Sequence, residues 1–449
     1  MRRAWALGVV VAAVACAGGE LDRPRDAVVT TPFGSPPLAA DLDPRADHVA
    51  VSLRAAPLGG STTRLGYSGA SPGPTVRARV GDTVEVTLDN QLAEPTTIHL
   101  HGVHLPYEMD GDGHGAPPVA PGERFTYRFV AERAGTFWYH PHVGAVTQVR
   151  AGLYGALIIE DPRDPAAEEV VLVFSEVPGE AFDPPSHAHA TPLSVDYRRG
   201  QSWLVNGARS PSLSLASGTV VRARLVNASA DAPLRLSWPG VRVIGTDQGL
   251  LPAPHDADEV PLMPGDRAEV EWRVGASPFD VVALPDSVVG PVGGDAVTLL
   301  SVAPTGELDA PASRAWGAPA LPAVDLARPV DATWVFTGGG EGSDLRINGE
   351  RFPDVTPTPA PLGQELVIEL RNLSSTRHPF HLHGHPFRVF SVDGAPPGFE
   401  SWEDTTALEP FSTRRVLVRP ALPGEWMAHC HLLTHAAGGM ATILSVRQP

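Results

Sequence analysis

The 449-residue chain is too long for one ordinary domain, and at ~100–200 residues per domain it divides into two to four. Its formal charge of −17, with no stretch that gathers arginine into a phosphate-binding face, argues against nucleic acid as a partner. Abundant Gly (45) and Pro (47) with few aromatics favour many short strands joined by turns over long helices.

In chain order, the first segment reads as an export signal. Arg2 and Arg3 precede an apolar run from Ala4 to Ala15 that is followed by small residues and is too short for a permanent bilayer span. The run Ala13–Gly19 (AVACAGG) resembles a bacterial lipoprotein cleavage site, at which Cys16 would be lipidated; an ordinary signal peptide that contains Cys16 is the other reading. The signal is assigned to residues 1–24, and the protein is expected in the periplasm or cell envelope, with a lipid anchor at Cys16 on the first reading. The body then holds a single cysteine, Cys430, which has no intramolecular disulfide partner there and needs another explanation.

Three segments share one pattern: Gly81–Asn90 (GDTVEVTLDN), Gly218–Asn227 (GTVVRARLVN) and Gly363–Asn372 (GQELVIELRN). Alternating apolar residues mark each as a half-buried strand, and near-equal spacing implies three β-sandwich domains, at 25–162, 163–310 and 320–449. Linkers fall between them, at Glu160–Pro165 and in the Pro/Ala-rich stretch from Ala303 to Pro329. Further strands are expected at Val170–Phe174, Glu269–Val274, Thr333–Phe336 and Val416–Val418, and no long amphipathic helix.

Four histidine clusters punctuate this frame: His99 and His101; His140 and His142; His378, His381 and His383; and His429, His431 and His435 around Cys430. Residues two apart on a strand share a face about 6–7 Å apart, so each H-x-H pair can serve neighbouring metals. The register is shared between repeats, since His99 and His381 both lie nine residues after their repeat Asn. His140 and His429 likewise lie five residues after Gly135 and Gly424. The first and third domains are therefore expected to bring matching halves of one site together. The middle repeat reads LRLSW at Leu234–Trp238, without histidine, and is expected to be a spacer. Only the third domain adds a cysteine: Cys430 stands where the first has Pro141, and Met440 follows His435 by five residues. Two His, one Cys and a weak axial Met are the ligand set of a blue-copper electron-transfer site.

These motifs, with the run from Gln148 to Gly155 that follows the second cluster, resemble the multicopper oxidase family over nearly the whole mature chain. The resemblance implies three consecutive cupredoxin-like Greek-key β-sandwiches, all-β, and four copper ions. It implies a type 1 copper at His378, Cys430, His435 and Met440, and a type 2 copper at His99 and His381. A type 3 pair would take His101, His140, His142, His383, His429 and His431. Asp110 matches, by its distance from His99, an acid that family members place near the three-copper cluster, where it would relay protons. Asp404 resembles an acid found close to the type 1 copper edge, where it would orient a ligand imidazole or attract a substrate cation. Of the remaining histidines, His187 and His189 read as a solvated loop and His385 as packing.

The reaction implied is laccase-like: one-electron oxidation of a small donor coupled to four-electron reduction of O2 to water. The donor would be a phenol or aromatic amine, or Cu(I), Fe(II) or Mn(II). The five methionines form no Met-rich segment, which argues against a methionine-lined copper-delivery insertion and favours aromatic donors. Ala436 stands where related efflux oxidases carry an acid. A monomer is expected. A copper nitrite reductase is the nearest enzymatic rival, but its trimers of two-domain chains do not need four paired-His motifs in one chain. A copper-binding or scaffolding envelope protein without oxidase activity is the non-enzymatic alternative.

Overall fold

The computed structural model describes residues 34–61, 63–164, 168–176, 203–291, 293–307, 315–339 and 344–448. The signal segment with Cys16, and His187 with His189, lie outside them.

The described chain is almost entirely β, and each repeat becomes the same strand in the same setting. The repeat strands are Thr83–Asn90, Val220–Asn227 and Leu366–Asn372. Each pairs in parallel with the first long strand of its domain: His48–Pro57, Glu168–Glu176 and Ala332–Thr337, respectively. On its other edge each pairs antiparallel with Arg124–Val130, Arg267–Arg273 or Thr413–Val418. The repeat asparagine explains why the pattern persists. Asn90, Asn227 and Asn372 are each fully buried and end their strands. Each donates through Nδ2 to carbonyls of the following loop and of a distant segment, while its Oδ1 accepts the amide two residues on. A buried amide satisfied in this way fixes the chain reversal, and losing one partner would strand the others at ~1–3 kcal/mol.

Alternation then builds the cores. In the first domain two four-stranded sheets enclose Val49, Val51, Val84, Val86, Leu88, Tyr127 and Phe137. In the third, two five-stranded sheets enclose Trp334, Phe336, Phe380, Trp426 and, within the same core, Cys430 and Met440. Each such apolar side chain contributes about 1.5–3 kcal/mol on burial. The middle domain differs: apart from the small pair Asp286–Ser287 and Gly290–Pro291, its described strands form one nine-stranded sheet, in which the long strand Leu234–Thr246 bends through two register shifts and pairs with three partners.

Helix is confined to short pieces. Ala145–Ala151 and Leu433–Ala437 occupy equivalent places, directly after His142 and His431. At seven and five residues they are too short to show a helical period in sequence, and so escaped the strand-and-turn reading.

Candidate metal centre

The histidine strands meet where the first and third domains face each other. Strand His99–His101 pairs antiparallel with Gly135–His140, which sets His99 opposite His140. Strand His378–Leu382 pairs with Gly424–Cys430, which sets His381 opposite His429 and Phe380 opposite Cys430. The two pairings are repeat equivalents, and their eight imidazoles converge. His99 stacks on His383 with ring centroids 4.0 Å apart, and His101 stacks on His381 at 3.7 Å. His142, His383 and His429 offer nitrogens within 4.8 Å of one another. The rings of His101, His140 and His431 form a second trio, at 5.7, 4.9 and 5.4 Å.

Hydrogen bonds decide which nitrogen faces inward in six of these rings. His99 Nδ1 donates to the Asp110 carbonyl, His140 Nδ1 to Pro141, His381 Nδ1 to Asp404 and His429 Nδ1 to Cys430, all at 2.8–2.9 Å. His383 Nδ1 donates to Asp110 Oδ2 at 2.6 Å. With Nδ1 protonated, the Nε2 atoms carry lone pairs. The Nε2 atoms of His99 and His381 then face each other at 3.4 Å, and those of His383 and His429 at 3.1 Å. Two lone pairs at such distances repel unless a cation lies between or beside them. His101 is reversed: its Nε2 donates to Asp404 Oδ1 at 2.9 Å, leaving Nδ1 inward. His101 Nδ1, His140 Nε2 and both ring nitrogens of His431 are buried without a hydrogen-bond partner. Buried polar atoms are rarely left so, and the donor set fits borderline-soft metal ions such as copper.

Burial keeps seven of these rings neutral, the form that ligates. It holds His99, His101, His383, His429 and His431 well below the usual histidine range, and His140 and His142 down at about 3.

The second cluster lies inside the third domain. Alternation sends His429 and His431 outward to the interface and Cys430 inward to the core. There Cys430 Sγ lies 3.5 Å from His378 Nδ1 and 3.7 Å from His435 Nδ1, and the two imidazole nitrogens are 3.2 Å apart. The Met440 carbonyl accepts the Cys430 amide, so Met440 is held beside the cysteine in the same core. The short helix Leu433–Ala437 turns His435 back onto the sulfur, and the middle domain pins that helix: Asp231 Oδ1 accepts from the Thr434 amide and hydroxyl. Burial lowers His378 to about 3 and His435 to about 4, and pushes the Cys430 thiol up. A soft metal would displace the thiol proton on binding.

Asp110 lies where the resemblance implied, buried against His99 and His383. Burial first, and then the Asp112 charge, raise its carboxyl well above the usual range. Asp404 requires a correction. It was expected at the type 1 edge, orienting a ligand imidazole or attracting a substrate cation, but it is 1% exposed and bonds the His101 imidazole in the other cluster. The cause is register. Thr405–Leu408 runs antiparallel to His378–Leu382 with Thr405 opposite His381, so Asp404 falls at the His381 end, away from His378. His385 is packing, as read: its ring meets Trp426 edge-on at 4.9 Å, and its Nε2 accepts the Leu422 amide.

The sequence reading missed the contribution of the middle domain. No imidazole reaches the clusters from it among the described residues, yet Asp247, Gln248, Gly265 and Arg267 do. Gln248 Nε2 donates to Asp404 Oδ2, and Asp247 Oδ2 accepts the Thr405 amide. A signal was available: Pro264–Arg267 (PGDR) repeats Pro121–Arg124 (PGER) of the first domain at the same register.

The sequence matches the family model for multicopper oxidases over residues 51–164 and again over 321–449. It is 30% identical to a multicopper oxidase of Mycobacterium tuberculosis over 435 residues, covering 86% of this chain and 84% of that protein. Among solved structures, it superimposes on a multi-copper oxidase from Pseudomonas thermotolerans with a TM-score of 0.75 at 30% identity, covering 90% of this chain and all of the other. A Campylobacter jejuni multicopper oxidase described as a metallo-oxidase gives a TM-score of 0.76 at 25% identity, covering 93% and 96%.

Proposed function

Because the chain belongs to the multicopper oxidase family, oxidoreductases that use O2, we propose that it takes single electrons from a small donor near His378 and Cys430 and delivers four to O2 between its first and third domains. Four bound copper ions would supply the one-electron redox chemistry: one held by His378, Cys430, His435 and Met440, one by His99 and His381, and a pair by the other six histidines. Four electrons and four protons convert O2 into two waters.

The chain's own residues support each part. Cys430 lies between His429 and His431 in sequence, so a covalent path of a few bonds joins the sulfur to both imidazoles of the other cluster. Asp110, in contact with His383 and His99, is the acid suited to hand protons inward. On the donor side, His378 Nε2 shares a hydrogen bond with Ser374 Oγ at 2.9 Å, and the neighbouring Leu373 and Phe411 expose 59% and 71% of their surface. Large exposed apolar side chains beside that loop suit a phenol or aromatic amine better than a metal ion.

The observation that carries the reading is the convergence of eight imidazoles across two domains, with Cys430, beside His378 and His435, on the strand that carries His429. The test is the visible spectrum of copper-loaded protein together with O2 uptake from a phenol, from Fe(II) and from Cu(I), compared with Cys430→Ser. Intense blue absorption, with uptake lost in the variant, is expected, and the faster donor names the substrate class. Blue protein that consumes no O2 with any donor would leave a copper-binding envelope protein instead.

A further inference from the structure

We infer that Arg267, from the domain that supplies no ligand, is a positioning residue that holds the trio His101, His140 and His431 in register. The inference rests on the proposed assignment of those three histidines to one ion of the copper pair.

Arg267 has 0% of its side chain exposed, and all five of its N–H donors are used. Nη1 and Nη2 grip Asp404 as a fork, with Nη1–Oδ1 at 2.7 Å. Asp404 Oδ1 in turn accepts the His101 Nε2 proton, which forces His101 to present Nδ1. Nε donates to the Thr136 carbonyl at 3.0 Å, on the strand that ends in His140. The second Nη1 proton goes to the Gly265 carbonyl at 2.8 Å. Gly265 is the wall behind His431: its φ is +93°, and a Cβ there would lie 3.0 Å from His431 Cγ. The second Nη2 proton goes to the Asp247 carbonyl, and Asp247 Oδ2 holds the Thr405 amide. One guanidinium therefore touches the support of every imidazole in the trio. The other trio, His142, His383 and His429, has no such link to Arg267; its polar anchor is Asp110.

The repeat shows that this is a reuse of position. The counterpart of Arg267 in the first domain is Arg124, whose side chain is 70% exposed in a surface pair with Asp89, and in the third it is Thr413. A planar fork is required: a lysine ammonium has three donors and a point charge, and cannot bind Asp404 bidentately while reaching the Thr136 and Gly265 carbonyls.

The experiment compares wild type with Arg267→Lys, reading copper per chain, blue absorption, electron paramagnetic resonance and O2 uptake. The wild type is expected to hold four coppers, two of them a magnetically silent coupled pair. Arg267→Lys should keep its full blue absorption and its bleaching by donor, but fall toward three coppers or show new resonance signal from an uncoupled ion. O2 uptake should fall at least about tenfold. Four coppers with a silent pair and uptake within about twofold of wild type would overturn the inference, since supporting residues of this kind normally cost tenfold or more. If copper-free Arg267→Lys shows no cooperative melting, Asp404→Asn takes its place. It keeps the oxygen that faces His101 but turns an amide toward the guanidinium; the same selective loss is expected, and an intact pair would overturn the inference. A wild type without four coppers would instead defeat the functional reading beneath it.

Discussion

Acidifying the copper-free protein from pH 7 to pH 5 should destabilise it steeply. In the folded chain burial holds His140, His142 and His378 down at about 3 and His435 at about 4, against 6.5 for a free histidine. A histidine whose folded value is lowered takes up its proton first in the unfolded state. Its contribution is complete above 6.5 and is lost as pH falls toward the folded value. Between pH 7 and pH 5 each such group gives up about 2 kcal/mol, at ~1.4 kcal/mol per unit over ~1.5 units. Neighbouring imidazoles do not titrate independently, so one per cluster is the fair count, for a loss of about 4 kcal/mol. That is about 8–16 °C in melting temperature for a cooperative unit of 150–250 residues. Bound copper would keep the same rings unprotonated, so the loaded form should be more stable at each pH but lose stability over this window with at least the same slope. Calorimetry at pH 7, 6 and 5 on both forms would read this directly. A copper-free form whose stability stays flat between pH 7 and pH 5 would refute the claim that buried neutral histidines control acid stability.

Three further outcomes follow from particular residues. Asp110→Asn should keep the blue centre and its reduction by donor, while O2 uptake falls about 100-fold for want of a proton donor beside His383; stopped-flow bleaching against an oxygen electrode separates the two steps. Gly384→Ala should cost about 3 kcal/mol or more in urea unfolding, because Gly384 has φ +63° and a Cβ there would run into the Trp426 indole; an unchanged midpoint would contradict that packing. Cys16→Ala should move the expressed protein from the membrane fraction to the soluble envelope fraction if Cys16 carries lipid, and fractionation that does not change would favour the ordinary signal peptide.

Most of the site was legible in sequence because it is built on strands. Period-2 alternation and repeat register suffice to group His99 with His381 and to turn Cys430 away from His429 and His431. What stayed hidden depends on contacts with no period. The place of Asp404 is set by the antiparallel register of His381 with Thr405, which sequence distance from His378 cannot supply. Arg267 was passed over for a related reason: without a histidine nearby, an arginine after a Pro-Gly turn reads as surface, as its counterpart Arg124 is. His435 was found by spacing alone, although the helix that aims it is too short to leave a pattern.

The imidazoles that meet between the first and third domains come from stretches far apart in the chain, and His429 and His431 arrive only with the strand Gly424–Cys430 and the residue after it. A chain that stops before His429 lacks two of the eight imidazoles and Cys430. Both clusters are therefore complete only in molecules in which Gly424–Cys430 has paired with His378–Leu382.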